Sequence, residues 1–259
     1  MKYTIISKLG SGSYSSVFLV KFKNEYCALK RLNRNEYESF KNEISFLMKL
    51  NHPNIVPIID YFETSIYYNI FLPYAKYGTL YNLIEKRKYK LQNFDFDDIK
   101  TITIEVSKGI NYLHENKVIH CDIKPSNILL FGNKIIKICD LGVSKNFKTN
   151  KHKTFVGTPY YIAPEIVNDR GYNNSIDYWS LGVIVYELIT FRLPFVSRNY
   201  YQLITKIIRN KYNTSIIPTK YKTLIYYLLN SNPGSRYKHE NIVSFFSNSI
   251  TLPSINKRR

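Results

Sequence analysis

The 259-residue chain reads as an α+β protein in which strands come first and helices follow. Three observations predict this. Residues 3–30 alternate in the manner of strands, broken by the small residues Gly10-Ser11-Gly12-Ser13-Tyr14-Ser15. Two more extended runs occur at 56–61 and 67–72. Beyond residue 79 the apolar residues take helical spacing, most clearly Ile99, Ile102, Val106, Ile110 and Leu113.

With 44% apolar residues the chain can build a substantial core. Its formal charge of +18, from 37 Lys and Arg against 19 Asp and Glu, would favour acidic partners. The basic residues are scattered rather than gathered in a stripe, so drift in composition accounts for them. No helix-turn-helix, zinc or RNA-recognition signature is present, and no specific nucleic acid is expected as a partner. Cys27, Cys121 and Cys139 stand at no metal-ligand spacing and read as reduced, structural thiols. No apolar run reaches the ~18 residues of a membrane span, and the start, Met1-Lys2-Tyr3-Thr4, has no signal-peptide core. The expectation is a soluble protein of the cytoplasm or nucleus, without a membrane partner.

The first two strands, 3–9 and 16–21, flank the glycine-containing tip. Small residues there let backbone N–H groups approach phosphates, although a plain hairpin turn would look the same. No helix follows the tip, which disfavours a Rossmann or P-loop site. The next strand, Tyr26-Cys27-Ala28-Leu29-Lys30, ends on a lysine. A helix is expected from about Asn35 as its N-cap, with Tyr37, Phe40, Ile44, Leu47 and Met48 facing the core. After the strands at 56–61 and 67–72, helices are expected over 79–88 and 95–116.

The short strand ending at Ile119 then delivers His120-Cys121-Asp122-Ile123-Lys124-Pro125-Ser126-Asn127. A carboxylate, an ammonium and an amide fall within six positions of one loop. Thirteen residues after Asn127 comes Asp140-Leu141-Gly142, behind the apolar run Ile135-Ile136-Lys137-Ile138-Cys139. Phosphoryl transfer needs such a set: an Asp to orient a hydroxyl, a cation for the moving phosphate, and hard oxygens for a metal ion. Asp177-Tyr178-Trp179-Ser180-Leu181-Gly182 opens an apolar helix at 183–189, and short helices complete the chain.

These motifs, in this order, resemble the eukaryotic protein kinases, and Lys124 with Gly157-Thr158-Pro159 resembles their serine/threonine branch. Cys139 to Ser144 and Val156 to Pro159 lean towards the kinases of MAP-kinase cascades and the never-in-mitosis group. The resemblance covers 1–259 as a single domain and implies a bilobal kinase fold. Its N-lobe, about 1–73, would hold an antiparallel five-stranded sheet and one helix; the hinge would be 73–78, the mostly helical C-lobe 79–250, and 251–259 a frayed tail. It implies a transferase moving the γ-phosphoryl group of ATP to Ser or Thr hydroxyls of proteins, with Mg²⁺, or alternatively Mn²⁺.

The residue roles follow from the same resemblance. Asp122 would be catalytic base or hydroxyl orienter, and Lys124 would neutralise the γ-phosphate. Asn127 and Asp140 would hold the metal. Lys30 would bridge the α- and β-phosphates and pair with Glu43, or with Glu38, from the following helix. Leu9, Gly10, Gly12, Val17, Ala28, Leu72 and Leu129 would line the nucleotide site. The C=O of Pro73 and the N–H of Ala75 would meet adenine, and a proline at that position removes only an N–H the contact does not use. Glu165 would form a buried ion pair with Arg236, and Asp177 would hold the catalytic loop's backbone.

The chain departs from the family at several positions. Ser15 replaces a third glycine, Leu141 the common Phe, and Cys121 the arginine that usually gathers a phosphorylated residue of the activation segment. Thr154 matches that phosphorylation position, with Lys145 and other lysines as remaining partners, so activity should depend only weakly on its phosphorylation. Ser126 stands where arginine-directed kinases carry a glutamate, so neutral or acidic substrate flanks are expected. Two other classes remain open here: a catalytically silent scaffold with this fold, and a nucleic-acid-associated protein.

Overall fold

A computed structural model describes residues 2–12, 15–132, 134–146, 159–168 and 171–248. Its strands are β1 (Tyr3–Ser11), β2 (Ser15–Phe22), β3 (Glu25–Asn33), β4 (Asp60–Glu63), β5 (Tyr67–Pro73), β6 (Val118–Ile119), β7 (Ile128–Gly132), β8 (Ile135–Ile138) and β9 (Lys145–Asn146). Its helices are α1 (Tyr37–Leu47), α2 (Leu80–Tyr89), α3 (Phe96–Glu115), α4 (Pro164–Val167), α5 (Ser175–Thr190), α6 (Tyr200–Ile208), α7 (Thr219–Leu228) and α8 (His239–Asn248). Strands β1 to β5 form one antiparallel sheet in the order β1-β2-β3-β5-β4. Everything after β5 is mainly helical, and the α+β expectation of a five-stranded sheet with one helix is met.

The sheet has two apolar faces because alternate residues point opposite ways. Val20, Phe22, Leu29 and Phe71 pack on one face, with Phe22 stacked on Phe71 at 4.2 Å between ring centroids. Leu32, Tyr68, Ile70 and Leu72 join the other face to α1 and to the main core. That core runs on through the stripe of α3 and the apolar helix α5, where Trp179 is fully buried. The α3 stripe falls inside as its spacing predicts, and Asp95 closes the helix start with a capping box to Asp98.

Three local expectations fail for physical reasons. Asn35 is not an N-cap: β3 continues to Asn33, paired with Tyr67, and a 3₁₀ turn at Arg34–Glu36 absorbs the tight entry into α1. Tyr37 and Met48 are 46% and 63% exposed, since they sit at the helix ends while Phe40, Glu43 and Leu47 form the buried side. The stretch 56–61 is not one strand. Pro57 has no N–H to donate; before it, Val56 donates to Ile138 in β8 (2.9 Å), and the chain meets the sheet only at Ile59, whose N–H donates to Phe71 (2.9 Å), with β4 itself beginning at Asp60.

In the C-terminal part, Arg236 makes a bidentate pair with Glu165 (2.7 and 3.1 Å) and donates to the carbonyls of Asn230 and Ser175. Arg236 is 3% exposed, so its charge has no access to bulk water. Arg236→Ala should lower unfolding free energy by about 3–5 kcal/mol, because Glu165 is left buried and unmatched. Arg236→Lys should recover only part of this, since a point charge cannot serve Glu165 and Asn230 together. Denaturant unfolding of the three proteins measures both.

Candidate active site

The pairing of β2 with β3 and of β3 with β5 sets Val17, Ala28, Lys30 and Leu72 along one wall of a cleft of about 420 Å³. Leu9, Gly10 and Gly12 form its lip, Pro73 and Ala75 its back edge, and Leu129, Asn127 and Asp140 its floor. All the sequence-predicted nucleotide-lining residues therefore meet around one cavity. Gly10 and Gly12 do not have positive φ, and among the described residues a Cβ would meet no atom within 4 Å at Gly10 and only Ser15 Oγ at 3.8 Å at Gly12. Among the described residues neither backbone strain nor packing demands glycine there.

Lys30 comes from the middle of the sheet and is nearly buried. Its ammonium donates to Glu43 Oε2 at 2.7 Å and to Asp140 Oδ1 at 2.7 Å. The helix partner is Glu43, not Glu38, because Glu43 lies on the fully buried face of α1. Burial alone would lower the lysine pKa, but Asp140 and Glu43 together drive it upwards. For Asp140 desolvation favours the neutral acid, yet Lys30 outweighs it and holds the pKa at about 2. Glu43 is pushed up by its enclosure, against the pull of Lys30.

The loop after β6 places the second group. Lys124 Nζ reaches Asp122 Oδ2 at 2.6 Å, and Asn127 Nδ2 donates to the same oxygen at 3.0 Å and to the Asp122 carbonyl at 2.9 Å. With its nitrogen turned to Asp122, Asn127 presents its amide oxygen elsewhere. An amide oxygen and an ionised carboxylate are hard donors, and both lie at the cleft floor; they fit Mg²⁺, which takes few protein oxygens and completes its shell with phosphate and water.

The loop is held from below by Asp177 at the start of α5. Its Oδ2 accepts from the backbone N–H of His120 (2.9 Å) and its Oδ1 from that of Cys121 (3.0 Å), while Oδ2 also contacts His114 Nε2 at 2.8 Å. His120 is fully buried. Its Nδ1 accepts from the Asp122 N–H, which leaves Nε2 to donate to the Cys139 carbonyl at 3.1 Å. Cys121 and Asp140 both hold left-handed φ, of 68° and 69°. Such strain persists only where surrounding bonds over-determine the backbone.

Some cleft residues carry no sequence signal of their own. Tyr74, Lys76 and Cys139 line it because they neighbour Pro73, Ala75 and Asp140, and Thr79 and Asn82 because their capping box starts α2 beside it. The three cysteines are free thiols, and burial pushes the Cys139 and Cys121 thiols far above their ordinary range. Lys145 donates to the Tyr172 hydroxyl at 2.9 Å. Thr154, Gly157 and Thr158 lie outside the described residues, as does the tail. No helix among the described residues is long and apolar enough to cross a membrane.

Comparison with known proteins gives a consistent result. The chain is 34% identical over 215 residues to the serine/threonine-protein kinase Nek5 of Mus musculus, covering 81% of this chain and 34% of that protein. It is 33% identical over 245 residues to the serine/threonine-protein kinase TIO of Arabidopsis thaliana, covering 90% of this chain and 18% of that protein. To Nek3 of Mus musculus it is 34% identical over 242 residues, covering 90% and 47%. The chain thus spans less than half the length of each of these relatives. Residues 3–245 match the family described as protein kinase domain, and the chain belongs to that family.

Proposed function

We propose that this chain is a serine/threonine protein kinase that transfers the γ-phosphoryl group of ATP to Ser or Thr hydroxyls of proteins. The observation that carries this reading is that Lys30, bonded to Glu43 and Asp140, lines one cleft together with Asn127, and that Asn127 bonds Asp122, which Lys124 also reaches. The lobes would divide at about residue 73, with 73–78 as hinge and the helical lobe from about 79 to 250. Adenine would lie between Leu9, Val17, Ala28, Leu72 and Leu129, hydrogen-bonded to the Pro73 C=O and the Ala75 N–H. Gly10 and Gly12 would leave the phosphates space under the β1–β2 turn.

Lys30 would bind the α- and β-phosphates, and its two carboxylate partners keep it charged and aimed. Asn127 and Asp140 would hold Mg²⁺, which neutralises the charge gathered on the phosphates. Asp122 would accept a hydrogen bond from the substrate hydroxyl and then its proton, as that oxygen bonds to phosphorus and the bond to the β-phosphate breaks. Lys124, already at Asp122, would offset charge on the transferred group. Ser126 is exposed at the edge of the cleft and puts no carboxylate there. That supports protein substrates with neutral or acidic flanks.

Three measurements test this reading. Asp122→Asn should lower phosphorylation of a generic acceptor by about 10²–10⁴-fold, the range for losing general-base help, with melting temperature little changed. A positional peptide array should show neutral or acidic residues around the phosphoacceptor; dominance of arginine on its N-terminal side would refute the substrate preference. Thr154→Ala should keep most of the parent rate, because Cys121 offers no guanidinium and Lys145 already bonds Tyr172. A near-complete loss of rate in that variant would show that phosphorylation is required after all.

A further inference from the structure

Helix α1 is tied to the Asp140 turn through two neighbouring residues, Glu43 indirectly by way of Lys30 and Asn42 directly. The side-chain amide of Asn42 lies within hydrogen-bond distance of three carbonyls of the following segment: Leu141 O at 3.2 Å, Gly142 O at 3.1 Å and Ser144 O at 2.7 Å. Carbonyls can only accept, so it is the amide nitrogen that faces them. Three C=O dipoles directed at one point repel one another unless a donor sits between them. Helix and turn also touch closely: a Cβ on Gly142 would fall 2.5 Å from Ser39 Oγ, one helical turn before Asn42 and Glu43. The turn itself is strained, with Asp140 at φ 69°. The Glu43 attachment is narrow, for Glu43 Oε1 has no hydrogen-bond partner among the described residues and only Oε2 bonds Lys30.

We propose that Asn42 is a positioning residue for phosphoryl transfer: its amide fastens the Asp140 turn and the root of the following segment to α1, and so sets where the Asp140 carboxylate presents itself to the metal. This rests on the kinase reading above. It adds a neutral tether beside the Lys30–Glu43 ion pair, joining the same helix to the same turn through backbone rather than charge. Salt, which weakens exposed ion pairs, leaves such a tether intact.

The test compares the parent protein with Asn42→Leu, which keeps the side chain's size but has no donor, and Asn42→His, which keeps an N–H at the δ position. Asn42→Leu should lower kcat and raise the half-activating Mg²⁺ concentration, each by about tenfold, as expected for carbonyls left without a donor. KM for an acceptor peptide should stay the same. Hydrogen exchange should speed up at the amides of Gly142 to Lys145, including the Ser144 N–H that bonds Leu141 O (3.1 Å), while α3 and α5 keep parent protection. Asn42→His should recover most of both effects. If Asn42→Leu does not fold, the same measurements on Asn42→Ala take its place. Unchanged exchange in that segment, or an unchanged Mg²⁺ requirement, would overturn the proposal. Since exchange needs no catalysis, a parent without transferase activity would sink the kinase reading while this readout still decides the tether.

Discussion

The ammonium of Lys30 is the point on which the arrangement hangs. It is carried by the central strand of the small sheet, and it meets a carboxylate from α1 and another from a turn 110 residues further along the chain. A nearly buried cation that lost both partners would cost several kcal/mol, so sheet, helix and turn are held to one relative placement. The same three residues stand at the inner end of the cleft. Structural cohesion and the shape of the cleft's lining therefore come from one interaction.

A second buried carboxylate plays the matching part below. Asp177 makes no contact with the cleft, yet its two oxygens receive consecutive backbone N–H groups of the loop that carries Asp122. His120 links that loop to the segment before Asp140 through the Cys139 carbonyl. Cys121, between them, is held in a left-handed conformation that a non-glycine residue adopts at some cost. The strain is tolerated because anchors on both sides leave the loop no relaxed alternative. The loop and the Asp140 turn are thus joined to each other and to α5, while Lys30 ties the turn to α1 and the sheet.

Much of this is legible in the chain itself, because the chemistry is concentrated in short contiguous runs. Asp122, Lys124 and Asn127 belong to one loop, and Asp140 opens the next. Their proximity needs little tertiary information. The α3 stripe was equally plain, since twenty residues of steady period leave one face to bury. The ends of elements read less well. Tyr37 and Met48 have the right period for α1 but lie where the core stops, and the strand at 56–61 was cut by Pro57 and by the pull of β8 on Val56. Periodicity reports which side of an element is apolar; how far the neighbouring layer extends is decided elsewhere.

What the sequence determined by itself was the kind of chemistry and the order of the elements, because those rest on residue type and on spacing along the backbone. It favoured Glu43 as the partner of Lys30, with Glu38 as the second choice, and showed nothing of Asn42. Only the tertiary structure decided those, since both depend on the rotation of α1 about its axis against a turn some hundred residues away. A helical residue's role is set by the face it shows to a neighbour. That face is chosen by how Phe40 and Leu47 pack into the core, not by any local preference of the residue itself.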